Sequence, residues 1–267
     1  FMPTPIDTLL PAPFAWVHIP AGKVTLTVGD KNSYLKVNTT FDLPAFHISK
    51  YPITNAQYAK FIEAGGYDNQ KWWTEVGWRA RSEGWDVAEN GQKSGIAWSS
   101  PRFWDDPQFN GADYPVVGIS WYEAIAFCAW LSDVTAETIS LPSEQQWQRA
   151  AQGDDNRAYP WGDEFDASRC NTTVKGARGQ LRQPTPVRQY EGVGDSPFGV
   201  VDMLGNVFEW CSTDYYSGET TIQREIWRMM RGGSWFHFSE IATLTYRQEE
   251  FPYRRHNHVG FRIAKSG

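Results

Sequence analysis

Asp202-Met203-Leu204-Gly205-Asn206-Val207-Phe208-Glu209-Trp210, followed by Arg231-Gly232-Gly233-Ser234-Trp235 and then Gly260-Phe261-Arg262, is the part of this 267-residue chain that decides its fold. Each segment sets turn-making residues beside large apolar or charged ones. Gly232-Gly233 lets the backbone turn tightly and approach its neighbours, and Trp235 is then expected to plug the core. Arg231 and Arg262, in apolar company, are expected to be held by carboxylates inside the fold rather than to touch a ligand.

Upstream the chain reads as capped helices. Tyr114-Pro115-Val116-Val117-Gly118 leads to Ser120, which caps a helix predicted over Trp121 to Ser132, with Glu123 completing a capping box. Leu141-Pro142-Ser143-Glu144-Gln145-Gln146-Trp147 opens another, with Ser143 as cap and Gln146 three residues on. Thr54 caps a third through Ile62, whose Tyr58, Phe61 and Ile62 share a face. Residues 14 to 30 alternate and predict a strand pair closing at Gly22-Lys23, and Phe46 to Tyr51 a further strand ended by Pro52. Between about residues 67 and 112 periodicity fades while Trp72, Trp73, Trp78, Trp85, Trp98, Phe103 and Trp104 crowd among polar residues, which predicts a long ordered insertion. Beyond Ala151 come turns and short strands, such as Tyr159-Pro160-Trp161-Gly162-Asp163. Helices first and irregular β structure second make an α+β signature.

Composition excludes several function classes. With 14 Trp, 23 Gly and 16 Pro the interior should be loop-rich and packed with aromatics, not disordered. A formal net charge of -6 and no long basic run argue against a nucleic-acid partner. No stretch approaches 18 apolar residues, so membrane insertion is not expected. The start has neither a charged n-region nor an apolar h-region, which predicts a soluble, cytoplasmic chain. Phe1 before Met2 marks a piece of a longer chain or a tag remnant. Three cysteines, Cys128, Cys170 and Cys211, without a CxxC pair predict buried thiols rather than a disulfide framework.

Six segments in order, Tyr51-Pro52-Ile53-Thr54-Asn55-Ala56-Gln57-Tyr58, Pro115-Val116-Val117-Gly118-Ile119-Ser120-Trp121, Leu141-Pro142-Ser143-Glu144 and the three quoted first, resemble the formylglycine-generating-enzyme (sulfatase-modifying factor) family. The resemblance implies one C-type lectin-like domain over residues 1–267. Members that oxidise a sulfatase cysteine carry two further cysteines after Arg-Gly-Gly-Ser; here His237 and Ala242 stand at those spacings, so the copper site and its redox chemistry are not expected. Sulfoxide synthases of this type take iron ligands from an additional helical bundle, for which this chain has no room. His237, His256 and His258 offer three nitrogens for a metal, or else a recognition surface.

The resemblance also implies a calcium site at Asp202, Gly205, Val207 and Glu209, the alternative being a capped turn with Glu209 bonded to backbone. A second calcium site would need Asn171, Thr172 and a later acid, which Gly176 to Gln183 lacks. Members without the cysteine pair include the variable proteins of bacterial diversity-generating retroelements, which present the segment between Arg-Gly-Gly-Ser-Trp and Gly-Phe-Arg as a ligand-binding face. Here that segment runs from Arg231 to Arg262, and the implied face is Trp235, Phe236, His237, Phe238, Tyr253, Arg255, His256, Asn257 and His258. Glu240, Gln248, Glu249 and Glu250 fit only as fixed positions. Exposed aromatics and histidines give contact area with little rotamer entropy to lose, whereas packed inward the same phenylalanines are core. Recognition of a protein or small-molecule ligand, alone or as the sensor of a larger signalling chain, is the leading expectation, and a metal-dependent oxidase or oxygenase the alternative.

Overall fold

Side-chain oxygens start the helices where backbone amides lack partners. The computed structural model describes residues 3–27, 33–86, 93–174, 182–222, 226–239 and 242–267. After a short α1 (Ile6–Leu9), Thr54 and Gln57 form a reciprocal capping box at the head of α2 (Asn55–Glu63). Ser120 with Glu123 and Ser143 with Gln146 do the same for α4 (Trp121–Thr135) and α5 (Glu144–Gln152), as the sequence predicts. α4 is buried on nearly all sides and carries the main core, where Phe127 stacks on Tyr58 at 5.4 Å. α3 (Glu75–Glu83), inside the aromatic insertion, is the helix that periodicity does not reveal. Its buried positions are Gly77 and Ala80, too small to write an apolar stripe. Thr74 caps it, and Gly84 ends it in the left-handed region at φ 60°.

The expected hairpin at Gly22-Lys23 does not form. β1 (Trp16–Ile19) and β2 (Gly22–Leu26) enter different sheets: β1 pairs with β4 (Phe46–Ser49), and β2 with β3 (Thr39–Leu43). Ile19 packs with Phe46 and Trp147, whereas Val24 and Leu26 pack with Leu35, and these two cores pull the strands apart. Gly22 serves a close approach rather than a turn, since a Cβ there would lie 2.4 Å from Arg149 Nη2. Residues 28–30 of the expected pair lie outside the described residues.

The first sheet runs β1-β4-β10-β5, with β5 at Ile139–Ser140 and β10 at Ala264–Ser266. The sheet that positions the candidate face runs β8-β7-β6-β9, from β6 (Phe208–Asp214), β7 (Arg228–Arg231), β8 (Gln248–Glu250) and β9 (Val259–Gly260). β9 lies parallel to β6 with Phe208 opposite Val259, which lays the 256–258 segment beside the Asp202–Trp210 segment. Buried carboxylates hold the arginines as expected. Arg231 donates to Glu144 at 3.0 Å and Arg262 grips Glu209 with Nε at 2.6 Å and Nη2 at 2.7 Å. Cys128, Cys170 and Cys211 are free and buried. Among the described residues no helix is long and apolar enough to cross a membrane. The described α-helices, all before residue 153, and the β-rich second half give the mixed α+β architecture that the sequence predicts.

Candidate functional site

Gly232 (φ 95°) and Gly233 (φ 72°) turn the chain out of β7. Trp235 follows, 7% exposed, its amide bonded to Asn206 O at 3.0 Å and its ring against Phe109. The indole is thus the floor of the face rather than an exposed finger of it. Beyond it the backbone makes a turn instead of a strand, and Phe238 bridges to Thr173. That turn throws Phe236 (58% exposed) and Phe238 (54%) outward while His237 folds back, its Nδ1 2.7 Å from Ser234 Oγ and its ring edge on Phe208.

From the opposite segment His258 lies at the centre of a ring cluster. It stacks on Phe236 at 5.2 Å and on His256 at 5.1 Å, and meets His237 edge-on at 5.1 Å. His256 Nε2 is 2.9 Å from Glu250 Oε2, and Asn257 accepts the Trp235 indole N–H on its carbonyl. Two expected residues stand apart. Tyr253 stacks on Phe251 and meets Trp85 edge-on. Arg255 is 5% exposed, because its guanidinium is drawn inward to Glu123 at 3.1 Å.

Phe236, His237, Phe238 and Trp235 wall a cavity of about 600 Å³ with Gln108, Thr173 and Arg182. The sequence does not point to these last three, which belong to no motif and arrive from the insertion and from the loop after Cys170. Burial, then the neighbouring His256, pushes the His237 imidazole down; burial, then His256 and His237, pushes His258 down to about 3. Both rings are neutral near pH 7. A base whose folded pKa falls below its unfolded value takes a proton first in the unfolded chain, so stability is lost as pH drops below about 6.5. Between pH 7 and 5 the loss attributable to His258 is on the order of 2 kcal/mol, and His258→Asn should flatten that part of a melting-temperature profile. An unchanged profile would show that His258 is not held neutral.

At the family's two cysteine positions stand His237, in the ring cluster, and Ala242, fully buried. Among the described residues no group of three or more His, Cys, Asp or Glu side chains is placed to hold a metal ion. At the expected calcium turn, Asp202 (φ 56°) and Asn206 (φ 61°) occupy the left-handed region. Asn206 donates to Asp202 Oδ2 at 2.8 Å, while the buried Asp202 Oδ1 has no hydrogen-bond partner. Burial raises the Asp202 carboxyl to about 7. Glu209, by contrast, is occupied by Arg262 and by the Trp147 indole N–H at 2.7 Å. Of the expected ligand set, Asp202 Oδ1 is thus left unpartnered, whereas Glu209 is already neutralised by Arg262. Residues 176–181 of the second expected site lie outside the described residues.

Comparison with known proteins agrees with this scaffold. Residues 11–267 match the Sulfatase-modifying factor enzyme 1-like domain. Hercynine oxygenase of Mycobacterium tuberculosis is 32% identical over 252 residues, covering 84% of this chain and 53% of that protein. The chain thus spans about half the length of that relative. PvdO from Pseudomonas aeruginosa superposes with a TM-score of 0.68 at 21% identity, covering 94% of each chain. Treponema denticola variable protein 1 gives a TM-score of 0.64 at 18% identity, covering 95% of each chain. At these identities the two structures speak for the fold alone. The profile match over nearly the whole chain, with buried arginines and double-glycine turn in place, shows that the protein belongs to the sulfatase-modifying factor enzyme 1-like domain family.

Proposed function

We propose that this chain acts as one recognition domain whose binding face is the ring cluster of Phe236, His237 and His258 with the cavity walled by Phe238. The observation that carries this reading is a pair of phenylalanines, each more than half exposed, on the turn that follows Gly232-Gly233 and Trp235, beside an apolar cavity. Contiguous exposed apolar surface is costly in a protein without a use for it, and Phe loses little rotamer freedom on binding. Phe236→Ala with His256→Ala should leave the melting temperature within about 2 °C, since Phe236 is exposed and half-buried His256 pairs, among the described residues, only with the partly exposed Glu250, and abolish binding of the apolar dye anilinonaphthalene sulfonate. A stability loss of ~3–5 kcal/mol, the cost of truncating a buried Phe, would put the cluster in the core and end the reading.

The finer reading is that a retroelement diversifies the segment between Arg231 and Arg262, for which the aromatic, His and Asn residue types speak. It predicts a nearby reverse transcriptase and an imperfect copy of this coding segment differing at adenines. A calcium ion at Asp202 Oδ1, with the Gly205 and Val207 carbonyls, belongs to the same proposal. Millimolar calcium should raise the melting temperature over a chelator control, and Asp202→Asn should remove the response; no response in the parent protein would rule the ion out. A second reading is favoured by the identity to hercynine oxygenase. Under it the chain is one half of a metal-dependent oxidase or oxygenase whose metal ligands come from outside this chain. Stoichiometric iron or copper in the purified protein would favour that reading over the first.

A further inference from the structure

The geometry points to the chemical class of ligand: we propose that the cavity beside Phe236 takes a small organic anion with a flat apolar body, an aryl carboxylate, whose acid group meets Arg182. The inference rests on the recognition reading above and narrows it.

Size comes first. About 600 Å³ lies within the ~300–1,000 Å³ of small-ligand sites, whereas a folded partner needs ~800 Å² of matching surface. The walls are next. Trp235, Phe236 and Phe238 present ring carbon. Thr173 spends its hydroxyl on Trp235 O and its backbone on His237 and Ser239, so it adds little polarity. His237 is neutral, with Nδ1 engaged by Ser234. A flat ring suits such walls through offset or edge contacts.

Charge then selects the ligand's polar end. Among the described residues that line the cavity, Arg182 is the one cation and none is an acid. Its carbonyl accepts Gln108 Nε2 at 3.0 Å, which anchors the backbone at φ 50°. Its guanidinium has no side-chain partner among the described residues. The nearby Asp106 carboxylate is turned to the Gln108 amide at 2.9 Å. A guanidinium beside an apolar wall is well suited to pair two N–H donors with a carboxylate. An ammonium group there would meet like charge and, among the described lining residues, no counterion.

Calorimetric titration with naphthoate, naphthalenemethanol and naphthylmethylamine separates the parts. Naphthoate should bind at least about tenfold tighter than the other two, and Arg182→Gln should erase that preference while leaving naphthalenemethanol unchanged. Phe238→Ala should weaken naphthoate and the alcohol alike. Both positions are exposed, so melting curves should confirm that the variants fold. Equal binding of the three probes, or indifference to Arg182→Gln, overturns the anionic class and leaves the cavity as a recognition site. Binding of none, or binding indifferent to Phe238→Ala, overturns the class and the recognition reading together.

Discussion

Glu144→Ala should lower the melting temperature by about 10 °C or more, the response of a chain this size to losing ~3–5 kcal/mol. The carboxylate is fully buried. It accepts Arg231 Nη1 at 3.0 Å, Arg247 Nε at 2.5 Å and Nη2 at 2.8 Å, and the Tyr34 hydroxyl at 3.0 Å. One side chain thus ties the head of α5 to β7, to the segment that leads into β8 and to the segment at Ser33–Leu35. Removing it strands two guanidiniums in a region that cannot hydrate them, and the uncompensated charge, more than the lost attraction, sets the size of the effect. Arg231 keeps Gln148 and the Leu244 carbonyl at 2.6 Å, which softens but does not replace the loss. Glu144→Gln retains an acceptor of the same shape and should cost clearly less. A thermal melt followed by circular dichroism decides: an alanine variant within about 2 °C of the parent, the range of a surface change, would show that the cluster is not what joins these elements.

The same cluster shows what a sequence can and cannot disclose. That Arg231 and Arg262 would lie inside followed from a charged residue set among glycines and tryptophan, since a buried cation needs a carboxylate. Which carboxylate was not legible, because Glu144 is 87 residues from Arg231 and Glu209 53 from Arg262. Helix starts were legible wherever a cap oxygen and its N3 partner sit three apart, as at Ser120 with Glu123. α3 was hidden because its inward face is glycine and alanine. The hairpin expectation failed at Gly22 because glycine also marks close approach, here beneath Arg149. At the candidate face, three consecutive residues cannot all face one way on a strand, which predicts only that at least one of Phe236, His237 and Phe238 points out; that both phenylalanines do so comes from the turn, which the sequence does not announce. Gln108, Thr173 and Arg182 were invisible because only the third dimension brings them to that turn.

Arg255 tests the boundary between face and scaffold most sharply. By sequence it belongs with His256 and His258 on the binding surface. In the structure it spans the Glu123 carboxylate, donates to the carbonyls of Gly118 at 3.2 Å and of Ser100, and covers the Trp98 ring at 4.7 Å. Glu123 also caps α4 through the Ser120 amide at 2.7 Å and accepts the Tyr67 hydroxyl at 2.5 Å. Arg255→Ala would leave that buried carboxylate without its counterion and should cost ~3–5 kcal/mol. Arg255→Lys keeps the charge, yet one ammonium cannot reach both carboxylate oxygens and two carbonyls, so an intermediate loss is expected. Naphthoate titration at low temperature, where the folded form still dominates, should find affinity within about threefold of the parent, less than a contacting charge would change it. A ligand-contacting arginine would give the reverse pattern, an unaltered melt and an affinity lower by tenfold or more, equivalent to about 1.4 kcal/mol. That result would move Arg255 back to the surface and require the loop from Phe251 to His258 to open in solution, since the guanidinium can reach a ligand only by leaving Glu123.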